Sequence, residues 1–150
     1  DDEAVTIMEF ENGALGIVEN SWNRPGGMDD SIEVFGDKGQ VYADLLMGNA
    51  MPTYSEVGFG YAVEKAGSTK GWTYPVFEEH WNYGFPQEMR HFARCVRGKE
   101  TPISDGETGR VVLEVMYAAY ASAGLGRKIA LPFRPNGIAK PIDLWRKATP

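Results

Sequence analysis

A single cysteine, Cys95, stands among 150 residues, so no intramolecular disulfide can form and no cysteine-rich zinc site can be assembled. That scarcity fits a reducing cytoplasm, the expected location. Histidine is almost as rare. His80 and His91 lie far apart with no HExxH-type pair around them, so any metal would have to rest on carboxylates alone, and none is expected. No apolar run approaches the roughly 18 residues that a membrane helix requires. Positive charge is also in deficit, 15 basic residues against 21 acidic for a net −6, which disfavours attraction to nucleic acid or an anionic membrane. What is present, 43% apolar and 24% charged residues, is ordinary for a soluble globular domain able to bury one core. The chain opens Asp1-Asp2-Glu3 with no methionine or signal stretch and reaches a strand pattern at once, which reads as a piece of something longer.

Strand signals dominate the first third. Asn12-Gly13 between Ala4–Phe10 and Ala14–Trp22 is a strong hairpin signature and predicts a type I′ turn, with Glu11 opposite Ala14, Phe10 facing Leu15 and Met8 facing Ile17. Apolar groups on both faces of this hairpin predict a sheet covered by helices on one side and by a second copy of the chain on the other. A loop, Asn23 to Gly27, leads to a second hairpin from Ser31–Phe35 and Gln40–Leu45 around Gly36-Asp37-Lys38-Gly39. Glycines then interrupt β-prone pieces such as Gly60–Glu64 and Trp72–Tyr74, giving one or two edge strands.

Helical spacing follows. Phe85, Met89, Phe92 and Val96 form one apolar stripe, with Pro86 suited to a first turn and Gly98 to a C-terminal cap. Ser104 and Glu107 read as a capping box opening a second helix through about Gly124, which carries only Glu114 as a charge between Val111 and Leu125. A helix so apolar is expected to be buried, and Met116→Asp or Ala119→Asp to prevent folding. Lys128–Phe133 reads as a last strand, and residues 134–150 as a tail whose Ile142, Leu144 and Trp145 dock on the domain or on a neighbour. The predicted fold is α+β, a two-layer arrangement with an open, mainly antiparallel mixed sheet of about five to six strands and two main helices packed on one face.

Most catalytic signatures fail. Adjacent Glu78 and Glu79 point oppositely in an extended segment and read as a solvated loop. Gly58-x-Gly60 lacks its third glycine, position 63 being Val63, so no dinucleotide fingerprint exists. There is no GxSxG elbow. What remains is His80-Trp81-Asn82-Tyr83 before the first long helix, together with Arg24 after the first hairpin. Aromatic walls with polar tips suit a sugar or polyol, and His80, Trp81, Tyr83 and Arg24 are the candidate substrate-binding residues; the alternative is a packed helix start with an exposed histidine.

Three blocks, EFENGALGIVENSW, IEVFGDKGQVYADL and GFPQEMRHFARCVRGKETPISDGETGRVVLEVMYAAYASAGLGRKIALPF, resemble the C-terminal domain of the glucose-fructose oxidoreductase and inositol dehydrogenase family, Gfo/Idh/MocA. The resemblance spans roughly Asp2 to Phe133. It implies residues 1–133 as a substrate-side and oligomerisation domain, a tail at 134–150, and an N-terminal Rossmann domain holding NAD or NADP in a longer parent protein. It further implies a homo-oligomer through the open sheet face and a sugar or polyol substrate. The family's cofactor loop, its Glu-Lys-Pro lysine and its Asp and His pair belong upstream, so no catalytic or cofactor-binding residue is assigned, and this chain alone is expected to be inactive. A non-enzymatic binding or assembly module is the competing class.

Overall fold

A computed structural model describes the chain apart from residues 1, 28, 47, 49–50, 61–66, 77, 138–139 and 147–150. The piece Gly60–Glu64 therefore lies outside the described residues except for Gly60. The described elements are β1 (Glu3–Glu9), β2 (Leu15–Ser21), β3 (Ser31–Phe35), β4 (Gln40–Asp44), β5 (Thr53–Ser55), β6 (Gly71–Thr73), α1 (Glu79–Asn82), α2 (Phe85–Val96), α3 (Gly106–Leu125) and α4 (Ile142–Arg146). Strands and helices segregate along the chain, an α+β pattern. Two compact units divide it: Asp1–Val5 with Glu19–Glu100, and Thr6–Val18 with Thr101–Pro150.

The first hairpin forms at Asn12-Gly13, but with a different register from that of a type I′ turn. Gly13 N–H donates to the Phe10 carbonyl at 2.9 Å, Phe10 N–H donates to Ala14 at 2.9 Å, and Gly13 takes φ +87°. That is a three-residue loop ending in a left-handed glycine, with Asn12 Oδ1 accepting from Ala14 N–H to close it. The pairing moves by one residue, so Phe10 faces Ala14 rather than Leu15. The far end agrees, since Trp22 N–H donates to the Asp2 carbonyl. Gly16 then lies under the Met8 side chain, where an added Cβ would come within 3.2 Å of Met8 Cε. A one-residue change exchanges faces: Ile7, Leu15 and Ile17 share one side, each about two-thirds exposed.

β3 and β4 pair in antiparallel register from Ser31↔Asp44 to Phe35↔Gln40, with Phe35 and Tyr42 edge-to-face at 5.7 Å. β5 and β6 place Tyr54 opposite Trp72. Among the described residues the six strands pair as three two-stranded ladders rather than as one continuous sheet. Turn chemistry closes the first two hairpins locally, whereas joining ladders edge to edge is a nonlocal step that no turn dictates.

α2 follows the predicted boundaries: Pro86 sits in its first turn and Gly98 adopts φ +66° just beyond its C-cap, Arg97. α3 begins one residue later than the capping box implies. Asp105, not Ser104, is the N-cap, and its Oδ1 accepts from Thr108 N–H at 2.9 Å. Glu107 turns to Arg110 instead.

The expected burial of α3 does not hold. Only Ala118 and Ala121 are buried on it, and Val112 and Leu113 are more than half exposed. Met116, 39% exposed, is not a core residue. The segment Lys128–Phe133 is no strand either. Phe133 N–H, which a ladder would have used, donates to the Glu114 carboxylate at 2.6 Å, and Lys128 pairs with Glu9 through its side chain. The tail does dock. α4 packs on α3 at Gly124, where a Cβ would lie 2.5 Å from the Leu144 carbonyl oxygen.

Candidate substrate-side site

α1 and the first turn of α2 form the candidate site, joined by Gly84 at φ +82°. That conformation suits glycine and lets two helices meet within two residues. Glu78 opens α1, its carbonyl accepting from Trp81 N–H at 2.9 Å and from Asn82 N–H at 3.1 Å. His80 and Trp81 sit side by side with ring centroids 6.2 Å apart, and Tyr83 meets Phe85 edge-to-face at 6.5 Å. Gln87 reaches back from α2 to the Trp81 carbonyl at 3.4 Å. Three of the four predicted substrate residues, His80, Trp81 and Tyr83, thus lie on one short segment, but only His80 and Trp81 are exposed there, the Tyr83 hydroxyl being buried.

Trp81 is 47% exposed, which leaves part of its indole accessible to a ligand. His80 is also exposed, with Nε2 3.7 Å from a Glu78 carboxylate oxygen. The fourth, Arg24, donates its guanidinium N–H to Asp29 at 2.5 Å across its own loop.

Sequence reasoning missed a second polar cluster, at the end of α2. Glu100 accepts from His91 Nδ1 and from Arg94, both at 2.7 Å. These two hydrogen bonds, His91 first, hold its carboxyl below the usual range. Cys95 Sγ is 3.5 Å from His91 Nε2 and 4.0 Å from Nδ1. A sulfur nearly equidistant from both nitrogens lies beside the ring, not on the Nε2 lone-pair axis, so no thiol–imidazole nucleophile is assembled. Only the i, i+4 spacing of His91 and Cys95 hinted at this contact.

Nor does the Gly58 turn fit a nucleotide. Its amides already have partners: Gly58 N–H donates to Ser55 Oγ at 2.9 Å and Phe59 N–H to Thr69 Oγ1 at 2.8 Å. A phosphate cradle needs such groups free. Among the described residues no three of His, Cys, Asp or Glu converge as metal ligands, and no helix is long and apolar enough to cross a membrane.

Antiparallel hairpins followed by an amphipathic helix and a long apolar helix define an α+β domain. Residues 1–131 match the family described as "Oxidoreductase family, C-terminal alpha/beta domain", and the chain belongs to this Gfo/Idh/MocA family. Myo-inositol 2-dehydrogenase of Thermotoga maritima is 32% identical over 131 residues, 87% of this chain and 36% of the relative. scyllo-Inositol 2-dehydrogenase (NAD(+)) of Bacillus subtilis is 32% identical over 130 residues, 87% of this chain and 35% of the relative. The chain spans about a third of the length of these curated relatives. Among solved structures, GenD2 from gentamicin A biosynthesis, crystallised in complex with NAD, superposes with a TM-score of 0.79 at 32% identity, covering 88% of this chain and 37% of GenD2.

Proposed function

We propose that the chain is the substrate-side and oligomerisation domain of an NAD(P)-dependent, cytoplasmic oxidoreductase acting on a sugar, polyol or related hydroxy compound. The observation that carries this reading is the match to two inositol dehydrogenases along nearly the whole chain. The site agrees with it. A cyclitol or pyranose has an apolar C–H face that lies against an exposed indole such as Trp81, and hydroxyls that bond to a group such as the exposed His80 imidazole.

The dinucleotide belongs to an N-terminal Rossmann domain, because the glycine turn here is already occupied by its own side-chain bonds. Hydride chemistry is the cofactor's. This chain contributes a wall that holds the ring and excludes water, so alone it is catalytically incompetent. Titration of the isolated chain separates the roles. Myo-inositol at millimolar concentration is expected to shift the Trp81 indole and His80 ring signals by NMR, and Trp81→Ala to abolish the effect, while NADH causes no saturable change. Tight saturable NADH binding overturns the placement of the cofactor site.

A further inference from the structure

We draw no further inference here: the strongest candidate, the apolar face of α2 formed by Phe85, Met89, Phe92 and Val96, each more than half exposed, carries none because nothing in the structure shows what covers it.

Discussion

Glu114 shows how much one side chain can decide. Its carboxylate, almost wholly enclosed, accepts from Arg110 Nη1 at 2.6 Å on one oxygen and from Phe133 N–H at 2.6 Å on the other. The Arg110 hydrogen bond first, and then the Phe133 amide, hold its pKa below the ordinary 4.5. Because the folded value is depressed, this contribution to stability is complete above the unfolded value and is lost as pH falls through the folded one. Asp105, Glu107 and Glu100 shift in the same direction. Tm is therefore expected to fall as pH is lowered from about 5 to about 3, and Glu114→Gln to lower Tm at neutral pH and flatten that acid slope. An unchanged slope in melts of the variant contradicts the assignment. From the sequence Glu114 was visible only as an isolated charge on an apolar helix; its second partner, nineteen residues onward, could not be inferred from spacing.

At the scale of elements, local chemistry explains the ends of helices well and their surroundings poorly. Gly98 and Pro86 delimit α2 as their backbone preferences require. For α3, Ser104 and Asp105 are both good caps, and which one acts depends on the φ/ψ of the incoming loop, so the choice of Asp105 is conformational. The contact of α3 with α4 depends on a missing side chain. Gly124→Ala would set a methyl group 2.5 Å from the Leu144 carbonyl and 2.7 Å from Trp145 Cα, both main-chain atoms that cannot swing aside. Forced separation of this kind costs about 1–3 kcal/mol. The expected result is a lower Tm with early proteolytic loss of the tail, while helical circular dichroism from α3 persists. Protection of the tail equal to wild type would show that α4 is held elsewhere.

Across the whole molecule the telling feature is apolar surface without cover. Ile7, Leu15 and Ile17 stand on one side of the first hairpin about two-thirds exposed, and the α2 stripe of Phe85, Met89, Phe92 and Val96 is more than half exposed throughout. Patches of this kind mark interaction surfaces. The proposed homodimer through the hairpin face buries roughly 800 Å² per partner at standard size. Light scattering is expected to give a mass about twice 16.6 kDa. Ile17→Glu should shift it to monomer. Val18→Glu, on the other side of the same strand, should not. A monomeric wild type, or equal effects of the two changes, rules out this face.

Sequence alone determined what acts over a few residues: the hairpins at Asn12-Gly13 and Gly36–Gly39, the span of α2, the failure of the dinucleotide fingerprint, and the motif order that carries the family resemblance. The aromatic segment His80–Tyr83 was legible for the same reason, since contiguous residues arrive together wherever the chain goes. Tertiary structure decided the rest. The hairpin register depends on whether Gly13 closes a two- or three-residue loop, a small energetic difference that nonetheless reassigns every side chain to a face. Phe133 gave its amide to Glu114 instead of to a strand because a buried carboxylate was within reach. The left-handed turn at Glu78 was hidden because glutamate is rarely found there, and only the fold reveals where a chain accepts strain.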